Sequence, residues 1–235
     1  MEGLPKGLGV NGGRVPIPQH WEGLFRKALV LVDDISAHGR HNPFWTFGGG
    51  TVLMLKYGHR FSKDVDIFVP DPQSLGFVTP RLSDVAESLT TEYTEAANSV
   101  KLFFEEGEID FVAAPNLTVP GFDVQTILGR QVNVETSVEI IAKKMWHRGD
   151  RITGRDIFDF SLIAEMESES LLLHSDVMVR HADALLEQLD TRYDSLRKQF
   201  ESIEALNYHP KFDLACGRLR QTLGTMLSAG SRRPA

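Results

Sequence analysis

Cysteine is nearly absent from this chain: its 235 residues include one, Cys216. A lone cysteine excludes an internal disulfide, and it fits the reducing cytoplasm, the expected location. Cys216 lies in a helical pattern and reads as a small core residue. Positive charge is also short. Lys and Arg number 25 against 32 Asp and Glu, for a net charge of −7. That balance argues against a protein that wraps nucleic acid by general electrostatics, since such proteins are usually basic. A local patch for an RNA end or a nucleotide stays open. No apolar run is long enough to cross a bilayer, so no membrane partner is expected. Residues 1–19 are rich in Gly and Pro, lack an apolar signal core and read as a loose lead-in. His147, His174, His181 and His209 show no paired metal-ligand spacing. No Ser/His/Asp or Cys/His arrangement can be argued from spacing either.

What is present is concentrated in residues 47–69, FGGGTVLMLKYGHRFSKDVDIFV. Gly48, Gly49 and Gly50 open a short apolar helix. Backbone N–H groups at a helix start favour anions, and missing side chains let a phosphate come close. The same glycines serve a tight strand-to-helix turn equally well. Thr51 reads as a phosphate hydroxyl donor or as a helix cap. Asp64 and Asp66 lie two apart on the apolar strand DVDIFV, so they point the same way. Adjacent carboxylates repel unless a cation or proton sits between them. The pair is therefore a candidate site for a hard cation, Mg²⁺ first and Mn²⁺ second. A D-x-D alone is a weak signal, whose plain alternative is a solvated strand end.

A third carboxylate on a neighbouring strand is expected for two-metal phosphoryl transfer. Asp110, in EIDFV, fits that role, with Glu108 on the same face as its rival. Arg60 and Ser62 lead into the aspartates as candidate phosphate contacts. Later in the chain, Lys144 stands beside Met145 and Trp146 and reads as aimed inward. Its neighbour Lys143 pairs by spacing with Glu139. Arg155 and Asp159, four apart, share a helix face and would hold substrate or lock that helix to the first half.

The pattern along the chain predicts an α/β part to about residue 135 and a helical part after it. Helical spacing covers 20–38, then 50–56 and 82–89. Strands are expected at 44–47, 64–69, 91–95, 101–105 and 108–113, the last two around a turn at Glu106-Gly107. A further strand pair is expected at 124–128 and 131–134. Ser137 is expected to cap a helix over 138–147, and a second helix starts near Arg155. Long helices are expected at 168–189, 191–206 and 211–227, with Arg232 and Arg233 in a frayed tail.

Gly49-Gly50-Thr51, the loop Gly58-His59-Arg60-Phe61-Ser62 and Asp64-Val65-Asp66 together resemble the nucleotidyltransferases of the AbiEii/AbiGii toxin family. Glu139-Ile140-Ile141-Ala142-Lys143-Lys144-Met145 is similar to that family's E-I-x-A-x-K helix. Arg155-Asp156-Ile157-Phe158-Asp159-Phe160 is similar to its R-D-x-x-D motif. The likeness runs from about Phe44 to Met166 and is specific as a set. It implies a polymerase-β-like nucleotidyltransferase domain with a small mixed sheet over 20–135, followed by a helical domain over 136–235 that closes a nucleotide cleft. By the same resemblance, the substrate is a nucleoside triphosphate and the cofactor Mg²⁺. Asp64 and Asp66 are implied metal ligands, Lys144 a triphosphate contact, and Arg155 and Asp159 pocket residues. The implied setting is a bacterial toxin–antitoxin or phage-defence system, with a tRNA acceptor end and a cognate antitoxin as partners. Lys143 stands where the family commonly has an acidic residue, so the resemblance does not choose between the two lysines.

The leading expectation is Mg²⁺-dependent transfer of a nucleotide to an acceptor hydroxyl on tRNA or protein. One alternative is transfer to a small molecule such as an antibiotic, which the acidic charge suits slightly better. Another is an inactive fold that only binds a nucleotide or partner; the intact Asp64/Asp66 pair counts against it. The preferred base and the oligomeric state are not legible.

Overall fold

A computed structural model describes residues 16–38 and 43–230. Most of the expected lead-in and the tail arginines Arg232 and Arg233 lie outside the described residues. The first helix, α1 (Trp21–His38), buries Trp21, Leu24, Phe25, Ala28, Leu31, Val32 and Ile35 along one stripe. That spacing follows the 3.6-residue turn. Phe25 meets Phe47 with ring centroids 4.6 Å apart, which fixes α1 against the sheet.

Seven strands follow in one mixed sheet: β1 (Thr46–Gly48), β2 (Val65–Val69), β3 (Tyr93–Ala96), β4 (Ser99–Phe104), β5 (Gly107–Ala113), β6 (Phe122–Ile127) and β7 (Arg130–Glu135). Their spatial order is β3-β4-β5-β2-β1-β7-β6. β2 and β5 run parallel, as do β1 and β7, while β1 and β2 are antiparallel. Between β1 and β2 lies α2 (Gly49–Tyr57), and between β2 and β3 lie a 3₁₀ turn at Pro72–Phe77 and α3 (Asp84–Leu89). Alternation sorts the faces of β2. Val65, Ile67 and Val69 enter the core, and Asp66 and Phe68 face the other way.

The chain is helical after β7: α4 (Ser137–Arg148), α5 (Gly154–Met166), α6 (Ser168–Leu173), α7 (Ser175–Met178), α8 (Ala182–Thr191), α9 (Tyr193–Glu201) and α10 (Phe212–Gly230). The cap of α4 is Thr136, whose side chain accepts from the Glu139 N–H; Ser137, expected to cap, is the first helical residue. The Thr136 hydroxyl is one residue earlier and so reaches the N3 amide, as a capping side chain must. The expected helix over 168–189 is three pieces, broken at His174 and at Val179–His181. The expected helix over 191–206 stops at Glu201 for a different reason. Residues after it run back along the loop before β2. Phe61 donates to Glu204 O at 2.8 Å, Leu206 to His59 O at 2.9 Å and Asn207 to Gly58 O at 2.9 Å. Arg60 and Ala205 form an isolated antiparallel bridge. Backbone groups that bond across this seam cannot also extend a helix. The seam ties the helical region to the loop that carries His59, Arg60 and Ser62. Buried apolar residues from both regions form one contiguous core.

Candidate active site

The strand ends gather the carboxylates. In the β2–β5 register Asp66 lies opposite Asp110, and Val65 opposite Ile109. Asp64 immediately precedes β2, and its Oδ1 accepts from the Glu108 N–H at 3.1 Å. Asp64, Asp66, Glu108 and Asp110 all line one cleft of about 680 Å³. Burial and the neighbouring Asp110 push the Asp66 carboxyl up to about 6, with Arg148 and Lys144 opposing. Burial also raises Asp110, while Lys101 pulls it back. Lys101 Nζ lies 3.0 Å from Asp110 and 2.6 Å from Glu108.

The glycine turn is shaped by these neighbours. Gly49 has φ +75, a left-handed conformation that favours glycine, and a Cβ there would overlap the Asp66 carboxylate. At Gly48 an added Cβ would overlap Glu135, and at Gly50 it would press on Arg60 and Ser62. The three glycines thus let two carboxylates and a guanidinium converge on the first turn of α2. Thr51 is buried away from the cleft. Its hydroxyl donates to Asp64 O at 2.5 Å and contacts Ser62 Oγ at 3.1 Å. It therefore braces the strand start that carries the aspartates and does not line the cleft.

The opposite wall comes from α4 and α5. Lys144 and Arg148, one turn apart on α4, share Asp156: Lys144 Nζ is 3.0 Å and Arg148 Nη2 is 2.5 Å from its Oδ1. Asp156 Oδ2 completes a capping box, accepting from Thr153 N at 3.1 Å and Thr153 Oγ1 at 2.7 Å. Burial alone would raise Asp156, but Lys144 and Arg148 outweigh it and hold its carboxyl below the usual value.

Asp159 is fully buried and does not line the cleft. It accepts from Arg60 Nε at 2.7 Å and Nη2 at 2.8 Å, and from Lys144 Nζ at 2.6 Å. His59 Nε2 lies 2.9 Å from its Oδ1. Burial opposes the charge on Asp159, yet Arg60 and Lys144 hold the carboxyl well below the usual range. This carboxylate is the pin through which α5 fixes Arg60 from one wall and Lys144 from the other. Arg155, one residue before Asp156, is exposed at the cleft and has no ion-pair partner among the described residues.

The two lysines have different surroundings. Lys143 is buried, paired with Glu135 and 3.5 Å from Glu139, with its ammonium 3.9 Å from the Phe68 ring centroid. Glu135 ends β7, accepts from Thr46 Oγ1 at 2.7 Å and has no hydrogen-bond partner for Oε2 among the described residues. Burial pushes its carboxyl up to about 7, against the pull of Lys143. Lys144 reaches into the cleft wall at 11% side-chain exposure.

Of the residues expected from sequence, the cleft brings together Gly49, Gly50, Arg60, Ser62, Asp64, Asp66, Asp110, Lys144 and Arg155. Sequence reasoning missed Lys101, Glu135 and Arg148. Lys101 was within reach: a hairpin that pairs Phe104 with Gly107 puts Lys101 opposite Asp110. Glu135 and Arg148 belong to no motif.

The donor set suits a hard divalent cation, since Asp64, Asp66 and Asp110 offer only carboxylate oxygens. Among the described residues no group of three or more His, Cys, Asp or Glu side chains is gathered as a ready metal-ligand set. Asp64 accepts from the Glu108 amide and Asp110 is drawn to Lys101. The Asp66 carboxylate has no hydrogen-bond or ion-pair partner among the described residues, which leaves its charge without a direct protein partner. A cation would supply that partner.

Paired strand carboxylates thus lie beside a glycine-opened helix and are faced by cations from a helical wall. No curated protein matches the chain in sequence. A family model does: residues 30–218 match the nucleotidyl transferase AbiEii toxin family of the type IV toxin–antitoxin system, and the chain belongs to that family. Among solved structures, MenT4, a nucleotidyltransferase toxin from Mycobacterium tuberculosis, is 14% identical. That match has a TM-score of 0.49 and covers 93% of this chain and 87% of that one. JHP933 from Helicobacter pylori is 16% identical with a TM-score of 0.46, covering 92% of this chain and 96% of that one. Terminal uridylyl transferase 4 from Trypanosoma brucei, solved with CTP, is 14% identical with a TM-score of 0.30, covering 95% and 68%. Among the described residues no helix is long and apolar enough to cross a membrane.

Proposed function

We propose that this nucleotidyltransferase moves a nucleotide from a nucleoside triphosphate to an acceptor hydroxyl, with Mg²⁺ held by Asp64, Asp66 and Asp110. The observation that carries the reading is the Asp66–Asp110 register pair, set against Gly49 on one side and faced by α4 on the other. Bound there, a divalent cation supplies Lewis-acid stabilisation of charge on the phosphoryl oxygens.

The chain's own groups divide the remaining work. Asp110, raised by burial, is suited to accept the proton of the acceptor hydroxyl. The first amides of α2 and the Lys144 ammonium face the phosphates and offset the charge that develops there. Arg155 lies free to contact the substrate from the α5 wall. Asp159 and Thr51 act behind the cleft, the first by fixing Arg60 and Lys144, the second by bracing Asp64. The acceptor put forward first is the 3′ end of tRNA, and the biological role a toxin restrained by a cognate antitoxin in a defence system.

The test is label transfer. Each α-³²P-labelled nucleoside triphosphate is incubated with the protein, Mg²⁺ and total tRNA, with and without EDTA. Label is expected on RNA with one preferred nucleotide, and none with Asp64→Ala, Asp66→Ala or EDTA. Absence of label on RNA, protein or small-molecule acceptors, with growth arrest on expression unchanged by Asp64→Ala, sinks the proposal.

A further inference from the structure

The cations around the cleft are not equally available. Arg60 is 4% exposed, and its Nε and Nη2 both serve Asp159. Lys143 lies between Glu135 and Glu139, and Lys101 between Glu108 and Asp110. Lys144 has three N–H donors, two of which already go to Asp156 and Asp159. Arg148 differs. Its guanidinium carries five N–H donors, and one contact, Nη2 to Asp156, anchors it. Its side chain is 44% exposed and lines the cleft, and it is among the cations whose field acts on Asp66.

From this placement we infer that Arg148 is a phosphate-binding residue that reads the outer phosphates of the nucleoside triphosphate. The inference rests on the proposed nucleotide reading and adds the contact that distinguishes a triphosphate from a monophosphate. Two features support it. A planar guanidinium presents paired N–H groups that match a phosphate's oxygens, which a lysine does not. Asp156 holds one edge of the fork, so less side-chain freedom is lost on binding than for the unpartnered Arg155. Asp156 keeps Lys144 and Thr153 as partners when Arg148 is removed, so the wall stays intact.

The experiment is calorimetric titration of the full chain with each nucleoside triphosphate, the matching monophosphate and inorganic tripolyphosphate, all with Mg²⁺ and no acceptor. Arg148→Met is expected to weaken triphosphate and tripolyphosphate binding by about ten- to a hundredfold, the range for one hydrogen bond to a charged group. Monophosphate affinity should be unchanged, and Arg148→Lys should recover part of the loss. Equal weakening for mono- and triphosphate overturns the inference, because it marks a structural role. Unchanged tripolyphosphate binding in Arg148→Met overturns it too, while leaving the nucleotide reading standing. If the wild-type chain binds neither nucleotides nor tripolyphosphate, both fall together.

Discussion

Replacing Asp159 by Asn removes one negative charge and almost no volume, so its effect isolates the pin between the two cleft walls. Four contacts converge on that carboxylate: two from Arg60, one from Lys144 and one from His59. Lys144 keeps Asp156 as a partner, and burial already disfavours charge on His59 against the pull of Asp159. Arg60 has no such relief. It is buried, cannot lose its proton, and Asp159 is its sole carboxylate partner among the described residues. Breaking one partner of a buried ion pair costs about 3–5 kcal/mol. With a urea m of about 2–3 kcal/mol/M, the midpoint should fall by about 1–2.5 M. Because the Asp159 pKa is depressed on folding, its contribution is complete above the unfolded value near 3.8 and fades as pH falls through the lower folded value. The gap between wild type and Asp159→Asn should therefore be flat from pH 8 to 5 and narrow only below about pH 4. The double variant Arg60→Met/Asp159→Asn leaves no buried charge stranded and should regain at least half of the loss. A cost under about 1 kcal/mol, or a double variant worse than the single one, would refute the pin.

Lys143→Met strands Glu135, whose carboxyl already sits at about 7. A carboxyl raised on folding takes up its proton readily at low pH and is penalised as pH rises through its folded value. The loss in urea unfolding should thus be larger at pH 8 than at pH 5.5, by up to about 1.4 kcal/mol for the one unit between that value and pH 8, and adding Glu135→Gln should flatten the pH dependence. A pH-independent loss in Lys143→Met contradicts the buried pair. Gly49→Ala puts a Cβ into the Asp66 carboxylate at a positive φ. Expected are a loss of about 2–4 kcal/mol from strain and overlap, and disappearance of label transfer; a thermal midpoint unchanged from wild type argues against the close approach. Gly154→Ala meets the Phe200 and Gln199 backbone where α5 crosses α9. Since backbone cannot swing aside, unfolding calorimetry should show a midpoint lower by about 4 °C or more, taking about 2–4 °C per kcal/mol for a chain of this size.

Residues near one another in sequence announced their structure, and residues that met through the fold did not. The α1 stripe, the glycine-opened α2 and the β2 aspartates are local patterns, set by periodicity and by backbone demands at single positions. Asp110 as a carboxylate on a neighbouring strand was legible one step further out, because the apolar flanks of EIDFV mark a strand, while its register opposite Asp66 was not. After residue 166 the start of α10 was legible, but the breaks at 174 and 179–181 and the stop at Glu201 were not. The seam from Glu204 to Asn207 stays extended because it bonds to Gly58–Phe61, and nothing in those residues alone records that partner. The same holds for Asp159. Its spacing from Arg155 suggested a shared helix face, but Asp159 turns inward to Arg60 while Arg155 stays outside. A charged residue on an apolar helix face is inexpensive only if an opposite charge arrives from elsewhere, and here it arrives from a loop 99 residues away. The motif residues therefore divide by what they touch. Asp64, Asp66 and Asp110 present charge to the cleft, whereas Asp156 and Asp159 use their charge, and Thr51 its hydroxyl, to hold the groups that do. Arg148, anchored by one contact and with donors to spare, belongs to neither motif, because its position depends on a helix length and a cap that only the fold makes visible.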